Sequence, residues 1–236
     1  APSHFMKKKL ILGDIPKHKI EVIHNFNGND QKYSKPGKNL LYAGRICQEK
    51  GVDTLIEAYE HLPEPRPLLK ICGTGPLKRQ LQKISEDKKL NIEWMGFVTP
   101  EVIKQEMKAA AAVIVPSLWY ENCSMTIVES LNACRPVIAS RSGGNAELVN
   151  DGYNGFTFEA GNSKELTLAI TTLLQRDIIE LASNSGSCAH KFYSADTHID
   201  SIIKLYRKLC PPTISPYQTW FNFSETTPLP HKQKEV

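Results

Sequence analysis

Two acidic side chains and two basic ones carry the chemistry this sequence could do. Glu121 and Glu129 stand eight positions apart, and Arg45 and Lys50 follow an earlier apolar run. Eight positions make about two helical turns, so a helix reaching both would set them on roughly one face. A carboxylate accepts from ligand hydroxyls, whereas guanidinium and ammonium groups hold phosphate oxygens.

Arg45, Lys50 and Glu121 sit in loops that follow apolar runs, and Glu129 lies inside the helix after the second of these loops. Gly44-Arg45-Ile46-Cys47-Gln48-Glu49-Lys50-Gly51 follows Leu40 to Ala43. Gly44 allows close backbone approach. Arg45 and Lys50 beside a helix start suit a diphosphate; as ordinary surface charges they would do nothing. Gly73-Thr74-Gly75-Pro76 follows Leu68 to Cys72. It resembles the opening of a dinucleotide fingerprint, but Lys78 takes the third glycine position, so a dehydrogenase is disfavoured. The expected role is a tight turn that lets a ligand approach the backbone. Gly96-Phe97-Val98 follows Ile92 to Met95. A nucleobase could lie there, or Phe97 could anchor the turn from beneath. Trp119-Tyr120-Glu121-Asn122-Cys123-Ser124 precedes a helix whose free N–H groups favour an anion. Glu121 could accept from ligand hydroxyls or serve the helix cap. Glu129 could face solvent, yet Ile127, Val128 and Leu131 around it look buried, and a carboxylate among them needs a partner such as a sugar or ribose hydroxyl. Glu147 is expected to serve the dipole of its own short helix after Gly143-Gly144.

The elements that must position these loops alternate regularly. Strands are predicted at Leu40 to Ala43, Leu68 to Cys72, Ile92 to Met95, Ala112 to Val115, Pro136 to Ala139 and Gly155 to Phe158. Helices are predicted at Val52 to Leu62, Leu77 to Glu86, Pro100 to Ala110 with Thr99 as cap, from Ser163 as cap to Leu174, and at Ile178 to Phe192 and Thr197 to Leu209. Such alternation makes an α/β fold, a doubly wound, Rossmann-like parallel sheet over residues 40–192. Residues 25–39 form a linker and 193–210 a C-terminal helix. Met6 to Leu12 is helical and Ile20 to Ile23 is β-type. The Pro-rich segment 211–236 is expected to be disordered.

Composition narrows the classes. With 236 residues, 41% hydrophobic and 23% charged, the chain holds one sizeable domain. A net charge of +4 with dispersed Lys and Arg does not suggest nucleic acid. Lys7-Lys8-Lys9 is expected on a solvated helix face. The six cysteines form no Cys-x-x-Cys pair, which argues for free thiols in a reducing compartment. No apolar run approaches the length of a membrane span.

These motifs together resemble the donor-binding C-terminal domain of family 4 retaining glycosyltransferases, one half of a GT-B architecture. The matching residues are Gly44-Arg45, Lys50-Gly51, Gly73 to Pro76, Gly96-Phe97, Pro116-Ser117, Glu121 with Glu129, Ala133 to Ala139, Gly143-Gly144 with Glu147, and Asp151-Gly152 with Gly155-Phe156. The resemblance implies that Glu121 bonds the transferred sugar and Glu129 the ribose. Arg45 and Lys50 would hold the diphosphate and stabilise the leaving group. Gly44, Gly73, Gly75, Phe97 and Val98 would contact the nucleoside side of the ligand, and backbone N–H groups near Asn122, Ser124 and Met125 the sugar or phosphate. Asn122-Cys123-Ser124 replaces the family's frequent Gly-Phe-Gly, a change expected to alter sugar preference. The partners implied are a nucleoside diphosphate sugar, an N-terminal acceptor domain of which residues 1–24 are the last fringe, and an acceptor glycan or lipid-linked glycan. No metal or other cofactor is expected. Membrane contact would come only through the N-terminal domain, at the cytoplasmic face or in the cytoplasm. Alternatives are a non-catalytic nucleotide-sugar-binding module and a nucleotide-sugar epimerase of the same fold; the Glu121/Glu129 pair with Arg45/Lys50 favours the transferase.

Overall fold

The computed structural model describes residues 1–28 and 33–210; the segment 211–236, expected to be disordered, lies outside the described residues. Six strands form one sheet: β1 (Asn39–Ala43), β2 (Leu69–Cys72), β3 (Ile92–Gly96), β4 (Ala110–Val115), β5 (Val137–Ser140) and β6 (Gly155–Phe158). Their order is β3-β2-β1-β4-β5-β6, and every pairing is parallel. Leu41 of β1 lies opposite Lys70 on one side and Val113 on the other. Parallel neighbours need crossovers, and α2 (Val52–Glu60), α3 (Lys78–Asp87), α4 (Pro100–Ala109) and α5 (Met125–Asn132) supply four of them.

Both faces of the sheet are covered. Successive side chains of a strand point to opposite faces, so Leu40 and Tyr42 join one core with α2 and α7 (Ser163–Gln175). Leu41 joins the other, with α4, α5 and α8 (Ile178–Phe192). β4 is buried along all of Ala-Ala-Ala-Val-Ile-Val, as a central parallel strand must be. Arg135 is fully buried behind β5, where it donates to the carbonyls of Ala133 and Cys134, at 3.1 and 2.7 Å, and to Lys108. It also reaches the linker through the Ser34 hydroxyl at 2.7 Å.

Three local expectations change. Ile20 to Ile23 pairs with no strand among the described residues; its Ile23 N–H goes to the Ala1 carbonyl. A β-type run becomes a strand only where a neighbour completes the ladder. The cap of α7 is Asn162, which accepts from the Glu165 N–H at 3.1 Å, and Ser163 is the first helical residue. Thr99 holds the cap position of α4 but its side chain makes no cap bond. The chain begins with α1 (His4–Leu12) and the described part closes with α9 (Ala195–Leu209).

Candidate functional site

The strand order sets the site. At the β1–β4 boundary the chain turns toward β2 on one side and toward β5 on the other. The loops leaving the two strands part there and open a crevice, the place where open α/β sheets take ligands. The loop after β1 carries Arg45 and Lys50, and the loop after β4 carries Glu121.

Lys50 and Glu121 meet in that crevice. Lys50 Nζ donates to Glu121 Oε1 at 2.6 Å. The Ser117 hydroxyl at 2.9 Å and Trp119 Nε1 at 3.2 Å donate to the same oxygen. Three donors crowd Oε1, and no protein group among the described residues bonds Oε2. The Trp119 ring lies 5.6 Å from the Lys50 ammonium. Burial pushes the Glu121 carboxyl up, but the Lys50 ammonium with the Ser117 and Trp119 donors outweighs it and holds the group below its ordinary value. Glu121 is therefore an oriented anion at neutral pH.

Neighbouring loops clamp this one. A Cβ on Gly51, which has φ +64°, would stand 2.0 Å from the Pro116 carbonyl, so only glycine lets the two loops touch. The Leu118 N–H then reaches the Glu49 carbonyl at 2.9 Å. From the loop after β5, Ser142 Oγ donates to the Trp119 carbonyl and the Gly144 N–H to that of Glu121, both at 2.6 Å. Ser117 and Trp119 stand in motifs the sequence displays, four and two positions from Glu121, but sequence reasoning gave neither a role; it missed Ser142, which acts on Trp119 from 23 positions away.

A second grouping forms beside the first. Gly44, Arg45, Gly73, Gly75, Phe97 and Val98 line a cavity of about 400 Å³. Arg45 is exposed and makes no ion pair among the described residues. Phe97 is 81% exposed at the rim, so it is not an anchor beneath the turn. The glycines also serve the fold. A Cβ on Gly73 would meet the Gly44 carbonyl at 1.9 Å, and one on Gly75 the Ile46 carbonyl at 2.1 Å. Their missing side chains make room for the neighbouring loop, and a bond from the Ile46 N–H to the Thr74 carbonyl at 2.9 Å ties the two loops together. Cys72 is buried at the wall, which pushes its thiol up to about 11 and leaves it protonated at neutral pH.

α5 begins at Met125 with Ser124 as cap, and the Ser124 side chain makes no cap bond. The first-turn N–H groups thus have no side-chain acceptor among the described residues. Asn122 and Met125 are exposed beside them. Glu129 is half-buried and its carboxylate makes no hydrogen bond among the described residues; burial pushes that carboxyl up, opposed by Lys104. It lines neither grouping, although Ile103, next to Lys104, is part of the cavity wall.

Glu147 does not serve its own helix. α6 (Asn145–Leu148) has only four residues, and the carboxylate reaches across to α1, accepting from the N–H groups of His4 at 2.8 Å and Phe5 at 2.5 Å. Of the three consecutive lysines, Lys8 and Lys9 are exposed, and Lys9 Nζ lies 5.1 Å over the Tyr120 ring.

Known proteins share this frame. An uncharacterized glycosyltransferase of Methanocaldococcus jannaschii is 29% identical over 197 residues, covering 82% of this chain and 55% of that protein. The alpha-D-kanosaminyltransferase of Streptomyces kanamyceticus is 28% identical over 176 residues, 72% of this chain and 45% of that one. The chain thus spans about half the length of these curated relatives. Among solved structures, Anabaena Alr3699/HepE in complex with UDP superposes with a TM-score of 0.80 at 23% identity, covering 88% of this chain and 63% of that one. The lipopolysaccharide outer core galactosyltransferase WaaB gives 0.76 at 20% identity, over 88% of this chain and 61% of that one. The sheet is thereby the Rossmann-like half of a GT-B glycosyltransferase fold. The family described as glycosyl transferases group 1 matches residues 25–192, and the chain belongs to it.

Proposed function

We propose that this chain is the donor-binding half of an enzyme that moves a hexosyl group, with retention, from a nucleoside diphosphate sugar to an acceptor hydroxyl. One observation carries the proposal: a half-buried carboxylate and an ammonium meet at the sheet's switch point, beside a cavity lined by Arg45, which makes no ion pair among the described residues, and the same carboxylate loop leads into α5, where Ser124 makes no side-chain cap bond. Glu121 Oε2 is open to accept from sugar hydroxyls. Lys50, Arg45 and the start of α5 neutralise the diphosphate and the charge that grows on it as the bond to the sugar breaks. The nucleoside occupies the cavity along Gly44, Gly73, Gly75, Phe97 and Val98, and Glu129 takes the ribose hydroxyls. Asn122, Ser124 and Met125 border the sugar. The known UDP complex of a structural neighbour supports a uridine nucleotide as the first ligand to try. No metal has a role in this scheme.

The acceptor glycan or lipid-linked glycan would be held by an N-terminal domain of the parent protein, to which residues 1–24 belong. Transfer needs both domains closed on the donor, so this chain binds donor and transfers nothing by itself. The setting is the cytoplasm or the cytoplasmic face of a membrane; among the described residues no helix is long and apolar enough to cross one. Calorimetric titration with UDP, UDP-glucose and GDP-mannose tests the site. Arg45→Ala and Glu129→Ala should each weaken the best ligand at least about tenfold, a loss set by charge-assisted hydrogen bonds. Binding equal to that of the parent chain in both variants would end the assignment.

A further inference from the structure

α1 touches the loop that carries Glu121. Its first-turn donors are satisfied from two directions: Ser3 Oγ accepts from Met6 at 3.1 Å, and Glu147 takes His4 and Phe5, one on each carboxylate oxygen. The Phe5 ring then lies 5.4 Å from the ring of Tyr120, and Lys9 Nζ sits over that same ring. Tyr120 precedes Glu121 directly. Glu147 follows Gly143 and Gly144, whose backbone brackets Glu121 through a parallel bridge and an N–H bond. No residue of α1 is buried, so ring stacking and a charge-assisted cap hold it, not a packed core.

From this geometry we infer that Tyr120 and Glu147 are positioning residues for Glu121: they dock α1 on two sides of the Glu121 loop and so tie the sugar side of the site to the position of that helix. The inference rests on reading Glu121 as the sugar-side carboxylate. Its physical logic is one of shared loops. The Glu121 side chain is fixed by donors from its own loop and Lys50, but that loop's backbone is held by the segment 142–144; α1 contacts the loop at Tyr120 and reaches Glu147, three positions beyond that segment. Releasing α1 frees the ring of Tyr120 and the carboxylate of Glu147 together, and the loop between them gains room to move. A helix of the N-terminal fringe then reports its position directly to the residue that reads the sugar.

Hydrogen exchange on the 236-residue chain tests the coupling without any ligand. The variants are Glu147→Ala, the isosteric Glu147→Gln, and Tyr120→Ala; Tyr120 is 68% exposed, so its removal opens no core cavity. Glu147→Ala should speed exchange in α1 about tenfold, the loss expected for charge-assisted bonds, and speed the 118–124 amides with it. Tyr120→Ala and Glu147→Gln should move both segments in the same direction by less. Faster exchange in α1 with 118–124 unchanged in all three variants would overturn the inference, because α1 would then be a passive cover. Calorimetry with UDP and UDP-glucose reads the consequence: each variant should lower the ratio of UDP-glucose to UDP affinity, as Glu121→Ala does. If Glu121→Ala keeps the parent's ratio, the donor-site reading fails, and the exchange result still judges the coupling.

Discussion

Replacing Lys50 by Met separates the charge at the switch point from the bulk around it. Met keeps most of the stem beside Trp119 and removes the ammonium that donates to Glu121 at 2.6 Å. The side chains are 29% and 16% exposed, so the bond is sheltered more than a surface ion pair. A hydrogen bond between charged groups in such a setting contributes about 2 kcal/mol, against less than about 1 kcal/mol for an exposed pair. The sign with pH follows from the Glu121 carboxyl. In the parent its folded value lies below the ordinary one, so the pair's stability is present above the unfolded value, about 4.3, and is lost as pH falls through the folded value. In Lys50→Met, burial pushes the group upward with only Ser117 and Trp119 opposing, so its folded value rises. The cost of the substitution therefore grows with pH between the two folded values and levels off toward neutrality. Urea unfolding at several pH values from 3 to 7 should show a difference of about 2 kcal/mol at pH 7 that shrinks steadily toward pH 3. A difference that is the same at both ends would refute the electrostatic account and leave only lost packing.

Three further perturbations follow from the same structure. Glu129 is pushed up by burial, so its cost to stability is absent at low pH and builds as pH rises from the unfolded to the folded value; Glu129→Gln should stabilise the chain at pH 7 and leave it unchanged at low pH, in urea unfolding at both, while weakening uridine nucleotide binding by calorimetry. Gly75→Ala drives a Cβ into the Ile46 carbonyl; differential scanning calorimetry should show a loss of about 3 kcal/mol, and UDP binding should fall with it as the cavity wall shifts. Arg135→Ala strips donors from the buried carbonyls of Lys108, Ala133 and Cys134, which should cost about 3 kcal/mol in thermal unfolding; Arg135→Lys should not restore it, because a single ammonium cannot reproduce the guanidinium fork.

The strands and helices were legible because their signals are local. An apolar run such as Leu40 to Ala43 or Ala112 to Val115 needs only its own residues to declare a buried strand, and Pro100 needs only its ring to open a helix. Loops after parallel strands are the natural ligand edge, so Gly44 to Gly51 and Trp119 to Ser124 could be singled out before any contact was known. What the chain alone leaves open is which loops touch. Lys50 and Glu121 are 71 residues apart, and they pair because β1 and β4 are neighbours, an order that alternation does not dictate. Glu147 looked bound to its own four-residue helix and caps another 143 positions away. Gly73 and Gly75 line the cavity, and the folded sheet adds a second need for glycine there, the close approach of the next loop. Ile20 to Ile23 has the composition of a strand and no ladder to join. Periodicity and capping act over a few residues and are written in the chain; strand order, loop clamping and the partner of each charge depend on chain-distant groups being brought within bonding distance, and only the folded sheet does that.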